Sequence, residues 1–161
     1  MSPSRAARAA VWAAALALAG CASRGPQLSP VAASGLPARD ELESTPFFPQ
    51  QDYQCGPAAL ATVLGAAGLQ ASPDELVAQV YIPGRKGSLQ AELVAAARSR
   101  GRLPYVLPPS LDDLLAQLAA GHPVLVLQKT GAGPWPGWHY AVVIGYDASR
   151  DRLVLRSGTE S

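Results

Sequence analysis

The sequence predicts an α+β fold, in which a run of helices precedes an antiparallel sheet. Capping and stop signals divide residues 55–121 into helical segments. Residues 124–157 instead form short apolar runs separated by turns rich in Gly, Pro, Asp and Ser. Helices followed by strands, rather than alternating with them, are typical of α+β domains. A chain of 161 residues fits one such domain.

The first twenty residues are predicted to form an export signal. Arg5 and Arg8 form a basic start, and the apolar run Ala9–Gly20 follows. This run is too short to span a bilayer as a helix, which needs about 20 residues. Leu18–Cys21 resembles the lipobox of bacterial lipoproteins, in which the cysteine is lipidated and becomes the new N-terminus. The alternative is an ordinary secretion signal with a chance cysteine.

Residues 21–45 are predicted to form a flexible tether, because they are rich in Pro, Ala, Ser and Gly and show no apolar period. The folded domain is expected to span residues 46–161. Its last predicted strand ends so close to Ser161 that a truncated C-terminus is one expectation. The chain has 13 Lys and Arg against 12 Asp and Glu, without a basic run. This balance argues against a nucleic-acid surface.

Four helices are predicted from their capping and stop residues. The first begins at Cys55 and runs to about Ala67, with Pro57 in its first turn and Gly68 as its stop. The other three each follow a serine cap: Ser72 in a capping box before Pro73–Val80, Ser88 before Leu89–Arg100, and Ser110 before Leu111–Ala120.

Four strands are predicted from short apolar runs bounded by turn residues. The turn DASRD joins the last two as a hairpin. The strands are Leu103–Leu107, Val124–Gln128, Trp138–Tyr146 and Arg152–Ser157.

Cys55 is the first candidate for chemistry. Backbone N–H groups at a helix N-terminus favour negative charge, so a thiolate is stabilised there. Gly56 is expected to leave the space beside the thiol open for a substrate. If Cys21 carries a lipid, Cys55 has no disulfide partner, because the chain has two cysteines. These features fit both a nucleophile and a buried structural cysteine.

The chain has two histidines. His122 lies between Gly121 and Pro123, which is typical of a surface turn. His139 begins the apolar strand HYAVVIGYD, where a polar ring needs a partner. It is either a base paired with the thiol of Cys55 or a hydrogen-bonded core histidine.

Three sequence blocks together resemble the bacteriocin-processing-type cysteine peptidases. These are papain-like domains that remove double-glycine leader peptides, together with their free-standing secreted relatives. The blocks are FFPQQDYQCGPAAL, GRKGSLQAEL, and HYAVVIGYD followed by LRSG. The resemblance covers residues 45–159 and is narrowest to a lipoprotein branch. It implies a papain-like fold, with a nucleophile helix packed on an antiparallel sheet that carries the histidine.

The resemblance implies that Cys55 is the nucleophile and that His139 is the base and later the acid. It also implies a glutamine before the cysteine, whose amide stabilises the developing oxyanion together with the cysteine N–H. Pro49 occupies the usual position of this residue. We therefore choose Gln50, one position nearer to the cysteine, from the three candidates Gln50, Gln51 and Gln54.

The third member of the family's catalytic set, an Asp or Asn after the histidine, is missing from its usual position. Leu155 stands there, and no carboxylate is nearby. Asp147 is nearer in sequence, but eight extended residues reach about 26 Å at about 3.3 Å each, so it belongs at the far end of the hairpin. The remaining candidate orienters are Ser157 and Thr159.

The residues therefore favour a lipid-anchored cysteine peptidase, with a peptide or protein substrate and no metal or cofactor. Its expected location is the cell envelope, facing the periplasm, on the outer membrane. Two alternatives remain: a peptide-binding module without activity, and a cell-wall amidase or transpeptidase on a similar Cys–His scaffold. Trp135 and Trp138, just before the histidine, are expected either to wall a substrate groove or to cover the sheet edge.

Overall fold

The computed structural model describes residues 28, 31, 35–50, 52–131 and 137–159. Within these ranges it contains four α-helices and four β-strands, which confirms the predicted α+β class. The helices are α1 (Cys55–Ala66), α2 (Pro73–Val80), α3 (Gln90–Ser99) and α4 (Leu111–Ala119), with a 3₁₀ turn at Pro83–Arg85. The strands are β1 (Arg39–Glu41), β2 (Val124–Thr130), β3 (Gly137–Asp147) and β4 (Arg152–Arg156).

Strand β3 is the centre of the sheet and pairs antiparallel with each of the other three strands. Its residues 145–147 pair with both β1 and β4, and its residues 142–143 pair with both β2 and β4. Strands β1 and β2 therefore follow one another along one edge of β3, and β4 lies along the other edge. This arrangement explains why β3 is buried along most of its length.

A β-bulge between Val143 and Gly145 changes which face the following side chains occupy. Val142 and Ile144 pack on the face covered by α1, whereas Val143 and Tyr146 pack on the opposite face with α4. Gly145 is required here, because a Cβ at this position would overlap the backbone of β1 at Asp40 and Glu41. The bulge thus turns Tyr146 toward the second core, whereas strict alternation would place it on the same face as Val142 and Ile144.

Helices α1, α2 and α3 cover one face of the sheet and form the larger core with it. The second core lies on the other face, around Leu115 and Leu118 of α4, and includes Leu28 and Val31. Small side chains let α1 approach β3 closely: Ala58, Ala59 and Ala61 are each at most 1 % exposed. The beginning of α1 is thereby fixed against the beginning of β3.

Two of the three predicted serine caps are confirmed. Ser72 and Glu75 form a reciprocal capping box at α2, and the Ser110 hydroxyl accepts a hydrogen bond from the Asp113 N–H at α4. The prediction for Ser88 is wrong, because α3 begins at Gln90 and its N-cap position is Leu89. The Ser88 hydroxyl is buried without a hydrogen-bond partner among the described residues.

Two further predictions are corrected. Residues 103–107 form no strand, and Leu103 and Tyr105 are 90 % and 82 % exposed. Part of the predicted tether, Arg39–Glu41, forms β1. The sequence gave no strand signal there, because all three residues are polar. Hydrogen bonds to β3, not side-chain burial, hold this segment in the sheet. No helix in the described ranges is both long and apolar enough to cross a membrane.

Candidate active site

Cys55 is the first residue of α1, as predicted. The preceding Gln54 occupies the N-cap position without a side-chain cap, and the first turn holds no acidic residue. The N–H groups of this turn therefore face no competing carboxylate of the helix. Cys55 is a free, half-buried cysteine that packs against the core shared by α1 and β3.

The space beside Gly56 is filled by the protein itself, which corrects the expectation that it is open to a substrate. A Cβ on Gly56 would overlap the side chain of Ser88. A second contact brings the same two loops together, because the Lys86 ammonium lies 5.3 Å from the centroid of the Tyr53 ring. The GRKGS loop, residues 84–88, therefore packs against the segment that carries Cys55.

Tyr140 lies on β3 directly after His139, and it belongs to the core against which Cys55 packs. Burial raises the pKa of its hydroxyl, and the charged forms of Cys55 and Glu92 raise it further. The phenol is therefore neutral at physiological pH. Sequence reasoning missed Tyr140, because an aromatic residue inside an apolar strand is indistinguishable from an ordinary core residue.

His139 directly precedes Tyr140 and is half-buried. Its Nε2 lies 2.8 Å from the hydroxyl oxygen of Ser157. The second ring nitrogen, Nδ1, makes no hydrogen bond with any described residue. Ser157 therefore holds the ring through one nitrogen, and the other nitrogen is without a hydrogen bond to a described residue.

Ser157 is one of the three candidate orienters, and the other two lie elsewhere. Extending the pairing of Val142 with Arg156 by three residues on each strand places Thr159 opposite His139, but Thr159 is exposed and bonds to no described side chain. Asp147 is at the opposite end of β3. There, hydrogen bonds from Ser149 and from the Arg150 N–H lower the pKa of its carboxyl.

Gln50 is fixed beside the same strand ends. Its Nε2 donates to the Tyr140 carbonyl at 3.2 Å, and its Oε1 accepts from the Gly158 N–H at 3.1 Å. Its backbone N–H also donates to the Gly158 carbonyl at 2.8 Å. The amide has a second N–H, which bonds to no described residue. Gln51 lies outside the described residues, and the Gln54 side chain makes no hydrogen bond within them.

Within the described ranges, the Cys55 thiol and the His139 imidazole make no hydrogen bond to each other. Alternation along β3 points Tyr140 toward α1 and the His139 ring toward Ser157. Cys55 and His139 therefore form no direct pair among the described residues. Such pairs are often looser without a substrate than in the reacting complex.

The other aromatic and histidine candidates lie outside this arrangement. His122 is exposed in a turn, where its Nδ1 lies 3.2 Å from Gln117 Oε1. Trp138 is 62 % exposed at the start of β3, and Trp135 lies outside the described residues. Cys21 also lies outside them.

A comparison with known protein families shows which family this chain belongs to. The model of the Peptidase_C39-like family matches residues 42–157, which include α1 and all of β2, β3 and β4. The chain belongs to the Peptidase_C39-like family. A search of curated proteins found no match, and a search of solved structures found none either.

Membership of the Peptidase_C39-like family confirms the predicted resemblance and assigns a cysteine peptidase-type domain with a papain-like fold. A peptide or protein is the substrate class that this family indicates. An apolar cavity of about 790 Å³ has Leu60, Leu93 and Tyr140 in its wall, and Cys55, His139 and Gln50 are not among the described residues that line it. Arg102 is the one Asp, Glu, Lys or Arg residue among the described side chains that line it.

Proposed function

We propose that this Peptidase_C39-like chain hydrolyses peptide bonds through an acyl-enzyme on Cys55. His139 acts as base and later as acid, and Ser157 orients its ring. The observation that carries the proposal is the His139–Ser157 hydrogen bond. It engages Nε2 and leaves Nδ1 without a hydrogen bond to a described residue, so we assign Nδ1 to the proton of the thiol.

The chemistry follows from these roles. The sulfur of Cys55 attacks the scissile carbonyl carbon after its proton passes to His139. The carbonyl oxygen becomes an oxyanion, which the Cys55 N–H and the second N–H of the Gln50 amide stabilise. Collapse of this intermediate breaks the C–N bond, and His139 returns the proton to the leaving amine. Water, deprotonated by His139, then releases the acyl group and regenerates the thiol.

The cavity that Tyr140 lines is the place where we propose that an apolar residue of the substrate binds. Its wall is built mainly from aliphatic and proline side chains, and substrate pockets are commonly lined in this way. We propose that peptides with an apolar residue here are cleaved faster than those with an acidic one.

The test is the alkylation of Cys55 by iodoacetamide as a function of pH. The thiolate displaces iodide, so the rate reports the thiolate without requiring a known substrate. We expect the folded wild-type protein to react at neutral pH, and His139→Ala to shift the reaction to higher pH. His122→Ala is the matched control and should leave the profile unchanged, since this histidine lies in an exposed turn. A thiol that reacts only after unfolding contradicts the proposal.

One observation favours a second candidate, a peptide-binding module without turnover. Ser157 provides a neutral hydroxyl where the family resemblance expects a carboxylate or an amide, so the imidazolium gains less stabilisation. A binding module would retain peptides that contain an apolar residue without cleaving them. Peptide turnover measured by mass spectrometry, in parallel with peptide affinity, separates the two functions.

The proposal extends to location. A lipid on Cys21 would hold the domain at the periplasmic face of the cell envelope, and Ala22 after this cysteine favours the outer membrane. Membrane attachment would then depend on the lipid, because the charge of the chain is nearly balanced.

A further inference from the structure

The amide of Gln50 lies between the ends of two strands. Tyr140 belongs to β3, and Gly158 follows β4 by two residues. Extending the pairing of Val142 with Arg156 by two residues on each strand places Tyr140 opposite Gly158. In place of a direct backbone hydrogen bond, the side-chain amide accepts from Gly158 and donates to Tyr140. The side-chain amide of Gln50 therefore takes the place of a backbone peptide group at the point where β3 and β4 separate.

Each strand contact of Gln50 is adjacent to a member of the proposed acid–base pair. Tyr140 follows His139, and Gly158 follows Ser157, whose hydroxyl holds the His139 ring at 2.8 Å. Gln50 also begins the short segment that leads to Cys55. One amide thus connects the loop that carries the thiol with both strands that carry the imidazole and its orienter.

We infer that Gln50 is a positioning residue, which sets the His139 imidazole relative to the Cys55 thiol. This inference rests on the proposed function, and it goes beyond the oxyanion role assigned there. The oxyanion role uses the second N–H of the amide, whereas positioning uses the first N–H and the carbonyl oxygen. Both roles are compatible in one amide, because an amide has two N–H donors and a separate acceptor.

Iodoacetamide separates these two roles. Alkylation is a displacement at a saturated carbon and forms no oxyanion, so loss of an oxyanion donor alone leaves its rate unchanged. Loss of positioning changes the rate, because the thiolate is then no longer stabilised by a correctly placed imidazole. A misplacement of about 1 Å costs on the order of 10²-fold in reactions that depend on such geometry.

The experiment compares Gln50→Ala and Gln50→Glu with the matched control Gln54→Ala. Gln54 is in the same loop, and its side chain makes no hydrogen bond with a described residue. We expect Gln50→Ala to slow alkylation near neutral pH by about tenfold or more and to bring its pH profile close to that of His139→Ala. Gln54→Ala should keep the wild-type profile.

Gln50→Glu keeps the size of the side chain and an acceptor for the Gly158 N–H, but its second carboxylate oxygen faces the Tyr140 carbonyl. The repulsion should slow alkylation at neutral pH. Protonation restores a donor, so the difference from wild type should narrow as the pH falls toward about 4.3, the ordinary value for a glutamic acid. This near-isosteric variant decides the question if Gln50→Ala fails to fold, as judged by circular dichroism.

The outcomes are distinguishable. If wild-type alkylation depends on His139 but both Gln50 variants keep the wild-type profile, positioning is overturned and the proposed function remains. If wild-type alkylation does not depend on His139, the proposed function fails, and the positioning role fails with it. Hydrogen exchange provides a second readout, because the Gly158 amide should exchange faster in Gln50→Ala once its acceptor is lost.

Discussion

A serine in place of a carboxylate is the feature of this site that most affects its expected rate. Ser157 holds the His139 ring at 2.8 Å, but its hydroxyl carries no charge. A hydrogen bond between neutral groups contributes about 0.5–1.5 kcal/mol, and bonds to charged groups about 1.5–3 kcal/mol. The site is therefore expected to orient its base well and to stabilise the imidazolium only modestly.

Ser157→Ala should lower peptide turnover by up to about tenfold, since one neutral hydrogen bond is removed. The loss should fall on kcat rather than on KM, because the hydroxyl contacts the base and not the substrate. Steady-state kinetics on a cleaved peptide measures this split. Thr159→Ala is the control, because this exposed residue bonds to no described side chain. An equal loss in the control would move the orienting role to Thr159.

The oxyanion role of Gln50 has its own prediction. Gln50→Ala should reduce turnover by about 10²-fold or more, because it removes an oxyanion donor as well as the positioning contacts. Hydrolysis of a thioester or amide substrate passes through an oxyanion, whereas alkylation does not. Turnover therefore depends on the oxyanion donor, and the alkylation rate does not. If Gln54→Ala has the larger effect, the donor has been assigned to the wrong glutamine.

At the scale of elements, the packing of the GRKGS loop against α1 is set by the absence of a side chain at Gly56. Gly56→Ala should destabilise the fold by about 1–3 kcal/mol, because its methyl group overlaps the Ser88 side chain. Urea unfolding measures the change. Ser88→Gly in the same chain removes the overlapping atoms and should recover much of the loss. A double variant no more stable than Gly56→Ala would contradict this origin of the strain.

The turn between β3 and β4 carries a pH dependence. The pKa of Asp147 is lowered in the folded state, mainly by the hydrogen bond from Ser149. Its contribution to stability is therefore present above its unfolded pKa of about 3.9 and is lost as the pH falls through the lower folded value. Ser149→Ala should reduce stability at pH 6 and have little effect at pH 2. In an Asp147→Asn background, Ser149→Ala should lose this pH dependence.

At the scale of the whole molecule, we predict that Cys21 carries a lipid. Mass spectrometry of the mature protein should find a diacylglyceryl cysteine at its N-terminus. Cys21→Ala should abolish this modification and release the domain from the membrane fraction. An intact Met1, or cleavage elsewhere with Cys21 unmodified, would contradict the assignment.

The sequence by itself determined the α+β class, the start of α1 at Cys55, and the two histidine environments. These features depend on local signals: Pro57 in a first turn, the capping box at Ser72, and the apolar run after His139. Such signals are read from neighbouring residues, because caps and strand alternation act over a few positions. The sequence also limited the candidate orienters to Asp147, Ser157 and Thr159.

Only the tertiary structure decided which of those residues meet. The choice of Ser157 over Thr159 and Asp147 depends on how β4 ends beside β3, and the role of Gln50 depends on the gap between those strands. The tertiary structure also decided that Ser88 packs beside Gly56 and does not cap a helix. It likewise decided that the polar residues of β1 join the sheet, through backbone hydrogen bonds. These contacts join residues far apart in the chain, and no local pattern encodes them.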